Sequence, residues 1–158
     1  MHALATTADT ATELAGWLRL QHLPGVGPVA ARALLARFGL PPHIFATPFE
    51  ILREVVPASV ARAIVQPPKP VANSQLELTL QWLQRPGNAV LTLADAAYPP
   101  LLLEIADPPL LLYVRGRAEL LSRPGVAIIG SRNASAQGMQ NAAAFAQALS
   151  AAGLTIIS

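Results

Sequence analysis

The sequence predicts a mixed α/β chain: a helical N-terminal part, then a part in which strands alternate with helices. Three observations carry this. Apolar residues recur at helical spacing as far as Val65. The segment Gln66-Pro67-Pro68-Lys69-Pro70 then brings three prolines together, which neither continue a helix nor suit a central strand. Beyond it, short apolar runs are bounded by proline and glycine, and a long helical stretch separates the last two. A helical domain is expected over 1–66 and a sheet-containing domain over 71–158.

The elements follow in order. Glu13 to His22 carries Leu14, Trp17, Leu18 and Leu20, a helical stripe. Leu23-Pro24-Gly25-Val26-Gly27-Pro28 is a tight turn. A helix over Pro28–Phe38 is expected, with proline at its first position, Gly39 just past its end, and Val29, Ala30, Ala33, Leu34 and Phe38 as its apolar face. Thr47-Pro48-Phe49-Glu50 has the spacing of a capping box and predicts a helix to about Val55. A short helix over Ala58–Val65 completes the first part.

The second part opens with a helix from about Val71 to Gln84, stopped by Pro86-Gly87. Strands are expected at Ala89–Leu93 and Leu110–Val114, with a turn and short helix at Tyr98–Ile105 between them. A further strand over Val126–Ile129, a helix over Ala136–Ala152 capped by Gly153, and a strand over Leu154–Ile157 form one βαβ unit. Its two strands should be parallel, since a strand–helix–strand crossover returns the chain in the same direction. A parallel sheet needs helices on both faces, and the helices here are too few. The missing strands are therefore expected from further sequence or from a partner.

Composition bounds the chemistry. The 158 residues are 53% hydrophobic and 13% charged, ample for a core and unlike a disordered chain. The formal net charge is +2 and the pI about 9.7. Lys69 is the single lysine, so arginine carries nearly all the positive charge. A balance this small does not by itself decide for nucleic acid. The absence of cysteine excludes disulfides, thiolate metal sites and cysteine nucleophiles, and is compatible with a cytoplasmic location. Residues 1–12 lack the basic and apolar regions of a secretory signal, and no apolar run of ~18 residues predicts a membrane-spanning helix. His2, His22 and His43 sit on no ligand spacing, so no metal site and no cofactor are expected.

Two turns are candidate sites. In Leu23-Pro24-Gly25-Val26-Gly27-Pro28, a helix-hairpin-helix pattern, Gly25 and Gly27 would expose successive amides beside a helix start, where a DNA phosphate could sit. Such a contact supplies affinity and no sequence information. Pro28 removes one donor, Val29 is apolar, and Arg32 is the nearest cation. The glycines could equally serve only to shape the turn. The second candidate, Ala127-Ile128-Ile129-Gly130-Ser131-Arg132-Asn133-Ala134-Ser135, lies where a strand passes into a helix, the place at which open α/β sheets bind ligands. Gly130 permits close approach, Ser131 and Ser135 offer hydroxyls, and Arg132 can grip phosphate through two parallel bonds. Gly138 comes too late for a dinucleotide fingerprint, and no Gly-Lys-Ser/Thr marks a Walker loop. A plain structural turn with a surface arginine is the alternative. No catalytic residues are expected: Asp95, Glu104 and Asp107 have no clear partners, Asp107 before Pro108-Pro109 reads as a turn cap, and Ser131 has no evident base. Aromatic residues are too few to predict a base-stacking platform.

Tyr98-Pro99, Leu102, Ile105, Asp107-Pro108-Pro109, Leu112 and Gly116, followed by Ala127-Ile128-Ile129-Gly130-Ser131-Arg132, resemble the opening of the DprA/Smf family of DNA-processing proteins over about residues 95–158. The helical part with its Leu-Pro-Gly-Val-Gly hairpin is similar to the SAM-like domain that precedes it in that family. The resemblance implies the first part of an extended Rossmann-like domain that binds single-stranded DNA without sequence preference. It implies a non-enzymatic homodimer that protects incoming DNA and loads the recombinase RecA in natural transformation. By position, Gly130, Ser131, Arg132 and Ser135 match the family's phosphate turn, with Arg132 as its DNA-contacting arginine. Gln137 departs from the pattern, standing where the family often has an aromatic residue before glycine. The rival reading is a Rossmann-like enzyme acting on nucleoside monophosphates, which would require acidic catalytic residues and another glycine-rich loop downstream.

Overall fold

The computed structural model describes residues 7–67 and 70–158. His2, Pro68, Lys69 and the first half of the segment examined for a secretory signal lie outside these residues. The chain is mixed α/β and divides into two compact units, the first ending at Gly116 and the second running from Arg117 to Ser158.

The first unit begins with α1, Thr7–Gln21, longer at its N-terminus than the apolar stripe alone predicts. The stripe is the buried face: Leu14, Trp17, Leu18 and Leu20 are all in the core. His22 follows the helix, and its Nδ1 donates to Leu18 O over 2.8 Å, so this histidine is accounted for structurally. Helix α2, Pro28–Phe38, is bracketed as expected, by Pro28 at its start and by Gly39, whose φ of 81° suits glycine. Its expected face is largely the buried one, with Leu34 in the core and Ala30 and Phe38 packed against it, but Ala31 is buried as well and Val29 is 74% exposed.

Helix α3, Pro41–Ala46, was not foreseen; two successive prolines obscured it, yet they occupy the first turn, where no amide partner is needed. The expected capping box is absent. Helix α4, Phe49–Leu52, is one turn long and has Pro48 at its cap without any side-chain bond. Thr47 instead ends α3, and its hydroxyl donates backward to His43 O over 2.8 Å. A threonine hydroxyl spent on the preceding turn cannot cap the next helix. Glu50 pairs with Arg53 at 3.2 Å.

Helix α5, Ala58–Val65, buries Val60, Ala61 and Ile64. With Leu20, Leu34, Ile44, Leu52 and Val56 they form one hydrophobic cluster. Helix α6, Pro70–Leu83, packs against α1 across the proline segment. A second cluster of Leu14, Trp17, Leu18 and Leu111 gathers Leu76, Leu80 and Leu83 of α6. Burying such side chains stabilises a fold by about 1.5–3 kcal/mol each.

Strands β1, Asn88–Thr92, and β2, Leu111–Arg115, pair antiparallel, with Val90 opposite Tyr113 and Thr92 opposite Leu111. The connection between them contains α7, Pro100–Leu103, a helix of a single turn, and returns the chain beside β1.

The second unit contains a 3₁₀ turn at Ala118–Ser122, then β3, Gly125–Ala127, α8, Ala136–Ala151, and β4, Thr155–Ile157. Strands β3 and β4 are parallel, as the crossover predicts, with Val126 opposite Ile156. No residue of this unit is buried within the chain, and α8 presents Met139 and Phe145 to solvent.

Candidate nucleic-acid interface

The turn between β3 and α8 starts where the ladder ends. Ile128 N–H donates to Ile157 O over 2.9 Å, the last bond along the sheet, and Ile129 is then 92% exposed. Every residue from Ile129 to Gln140 is exposed. Ser135 is the N-cap of α8, and its Oγ accepts from Gly138 N over 3.1 Å. This satisfies one helix-start donor. The amides of Ala136 and Gln137 remain directed out of the helix start, and no acidic residue occupies its first turn. The positive end of the helix dipole is therefore unopposed by local side-chain charge.

Ser131 Oγ accepts from Asn133 N over 3.2 Å and so shapes the loop rather than standing free. Arg132 is exposed and forms no ion pair among the described residues. Gly130 has neither a positive φ nor any atom within 4 Å of the position a Cβ would take. Neither backbone strain nor packing within the chain requires a glycine there, and the missing side chain leaves the backbone open to approach. The turn thus combines helix-start amides, one cation and an open approach, a set that can hold a phosphate.

The hairpin of the first unit is built differently. Val26 N–H donates to Leu23 O over 3.1 Å, and Gly25 has φ of 80°. Pro24 and Gly25 thus occupy the positions they favour in a type II turn. A Cβ on Gly25 would lie 3.1 Å from Val60 Cγ2, so the Val60 side chain would also have to shift by a little. Gly27 caps α2 with extended backbone and has open space around it. Arg32, expected as the hairpin's cation, donates through Nη1 to Ala106 O over 2.8 Å and is partly committed to the segment before Asp107. The two candidate turns belong to different units.

Some residues gained roles only through folding. Asp95 Oδ2 accepts the Thr92 amide at 2.5 Å and caps the turn after β1. Trp82 and Tyr113 meet edge to face, with centroids 5.5 Å apart, and with Thr79 and Leu78 they line a groove of about 340 Å³. An aromatic pair therefore lines this groove, although aromatic residues are few. Its signal was the alternation of Tyr113 in β2, but its partner lies far away in the chain. Among the described residues, no group of acidic and histidine side chains could hold a metal ion, and no helix is long and apolar enough to cross a membrane.

Comparison with known proteins agrees with the motif. Residues 89–158 match the family described as DNA recombination-mediator protein A. The chain is 31% identical over 154 residues to Protein Smf of Synechocystis sp., covering 93% of this chain and 38% of that protein. It is 34% identical over 83 residues to Protein Smf of Escherichia coli, covering 52% and 22%. It is 44% identical over 50 residues to the DNA processing protein DprA of Streptococcus pneumoniae, covering 32% and 18%. The chain thus spans less than two fifths of the length of each of these relatives.

Proposed function

We propose that this chain, which belongs to the DprA/Smf family through residues 89–158, binds single-stranded DNA without sequence preference and serves its handover to the recombinase RecA. The observation that carries this reading is the turn at Gly130–Ser135, with its outward amides, unpaired Arg132 and absence of acidic side chains in the first turn of α8. A strand of nucleic acid offers what such a turn can take: a phosphate, held by dipole and guanidinium, with the bases left unread. Catalysis is not part of the reading, and the protein acts by holding DNA.

Homodimerisation in the cytoplasm belongs to the same proposal. It is supported by the exposure of Met139 and Phe145 on α8, apolar side chains that a larger assembly would cover. The hairpin at Gly25–Gly27 is a second phosphate contact in this scheme, with the Gly25 and Gly27 amides as donors, that of Val26 being committed to Leu23 O and Arg32 held to one side.

The test is fluorescence anisotropy of a labelled oligo-dT strand across a salt series, with unlabelled duplex and AMP as competitors, on the wild-type chain and on Arg132→Ala. Saturable binding that weakens steeply with salt, resists duplex competition and falls in the variant is expected. Competition by AMP at the same turn, with no binding of oligo-dT, would favour a nucleotide enzyme and end the DNA reading.

A further inference from the structure

The aromatic groove of the first unit is lined by Gln75, Leu78, Thr79 and Trp82 of α6 and by Tyr113 of β2. The four helical residues stand at i, i+3, i+4 and i+7 and so form one stripe. The inner side of the groove is closed: Thr79 is 2% exposed, and its hydroxyl meets that of Tyr113 at 3.1 Å. The outer side is open, with Leu78 59% and Tyr113 45% exposed.

The bond to Thr79 holds the Tyr113 ring in place without covering it. Trp82 meets that ring at an interplanar angle of 74°. An edge-to-face contact uses the edge of one ring and one face of the other, and leaves the remaining ring faces outside the pair. A fixed ring with a free face, beside an exposed leucine, suits a flat and partly apolar group.

The charge at one end of the groove is of a single sign. Arg115 follows Tyr113 by two residues, so strand alternation puts both on the same face of β2, with Cα atoms about 7 Å apart. Arg85 lies just past Trp82, and its amide donates to Trp82 O over 3.2 Å. Arg115 is opposite Asn88 in register, and the Asn88 amide donates to Arg85 O over 3.2 Å, so both arginines belong to the Trp82 end. Both are exposed, and neither forms an ion pair among the described residues. No carboxylate lines the groove, and helical period turns Glu77 to the far side of α6.

We propose that this groove seats a nucleobase of single-stranded DNA, stacked on Tyr113 beside Trp82 and Leu78, with the flanking phosphates on Arg115 and Arg85. The proposal rests on the DNA-binding reading above and extends it from phosphate to base. Stacking is indifferent to sequence, because every base has a π-face. It is not indifferent to strandedness: a duplex keeps its bases paired inside, and one must be extruded before it can reach a protein ring. A phosphate turn alone meets similar chemistry in both forms, so the groove supplies the preference for a single strand.

The experiment titrates the isotopically labelled chain with oligo-dT and with an abasic strand of equal length. It follows the indole N–H signals of both tryptophans, and affinity by anisotropy. Trp17, 1% exposed, is the internal reference. The Trp82 signal should move saturably with oligo-dT and little with the abasic strand, which should bind about tenfold more weakly. Tyr113→Leu should bring the two strands to within about twofold of each other, whereas Tyr113→Phe, which keeps the ring, should retain the difference. Leu78→Glu, a change at an exposed position, should erase the Trp82 response without touching the core. Oligo-dT binding that depends on Arg132 but leaves Trp82 unmoved, or equal affinity for the two strands, would overturn the groove and leave the phosphate turn intact. Binding of neither strand would end both readings. A Trp82 response to a proline-rich peptide and none to oligo-dT would also overturn the proposal and give the groove to a protein partner.

Discussion

The Tyr98 hydroxyl donates to the main-chain oxygen of Pro109 over 2.8 Å and so ties together two separated pieces of the segment that links β1 to β2. Tyr98, Pro99 and Pro108 are all buried around this bond. Desolvation raises the Tyr98 pKa above the ordinary phenol value, which keeps the hydroxyl a donor. Tyr98→Phe should lower stability by about 1 kcal/mol, since the bond is lost and the Pro109 carbonyl is left unpaired. Chemical denaturation of the two proteins measures it; an unchanged midpoint would remove the lock from the account.

Arg19 is the corresponding anchor among the helices. Its Nη2 donates to Ile64 O at 2.8 Å and Gln66 O at 2.6 Å, and its guanidinium lies 3.8 Å from the centroid of Phe45. It therefore covers carbonyls at the end of α5 with the charge that suits a helix C-terminus. Arg19→Ala is expected to cost about 2–3 kcal/mol, and Arg19→Lys most of that, because an ammonium cannot both fork and stack. Thermal melts of the pair compared with wild type would show it.

The hairpin glycines should respond in opposite ways. Gly25→Ala places a Cβ at a positive φ and against Val60, and should destabilise by more than about 1 kcal/mol. Gly27→Ser meets open space at a helix N-cap and should be neutral or stabilising by a few tenths of a kcal/mol. If the hairpin also takes a phosphate, Gly27→Ser weakens oligo-dT binding without loss of stability, and the two measurements together separate shape from contact.

Salt dependence offers a finer test of Arg132. Removing one phosphate contact should flatten the slope of log binding constant against log salt by about 0.7 on a single strand. A drop in affinity with the slope unchanged would mean that Arg132 acts through the loop and not on a phosphate.

Glu119 gives a pH test in the second unit. The side-chain hydrogen bond from Arg117, 2.8 Å long, is the largest influence holding its carboxyl below the usual range, with a backbone hydrogen bond and the charges of Arg117 and Arg123 adding to it. A depressed folded-state pKa contributes stability above the ordinary carboxylate pKa, and that contribution disappears as pH falls through the folded value. In Arg117→Gln the Glu119 titration followed by carboxyl NMR should move upward; no movement would show the pair to be absent in solution.

Local patterns made much of this molecule legible. The α1 stripe, the Pro28 and Gly39 brackets, and the two strands around α8 follow from periodicity and end signals, and each is present. The misreadings have a common physical source. Thr47 had two possible hydrogen-bond directions, and spacing could not choose between them. Val29 satisfied a helical period yet faces solvent, because the packing neighbours of α2 cover Ala31 and Leu34 and not the start of the helix. At the candidate site, the Gly-Ser-Arg segment at the end of a strand could be read directly. The commitment of Arg32 to Ala106 arises from long-range packing and left no local trace.

Both tryptophans, Trp17 and Trp82, and both tyrosines, Tyr98 and Tyr113, fall before Gly116. The unit carrying the Gly130–Ser135 turn is therefore dark in intrinsic emission and nearly silent in near-ultraviolet dichroism. A fluorescence trace can report a fully folded chain while β3, α8 and β4 are already melting. Far-ultraviolet dichroism, dominated by helices in both units, would register that loss first, and a mismatch between the two signals gives an optical measure of the second unit's independent stability.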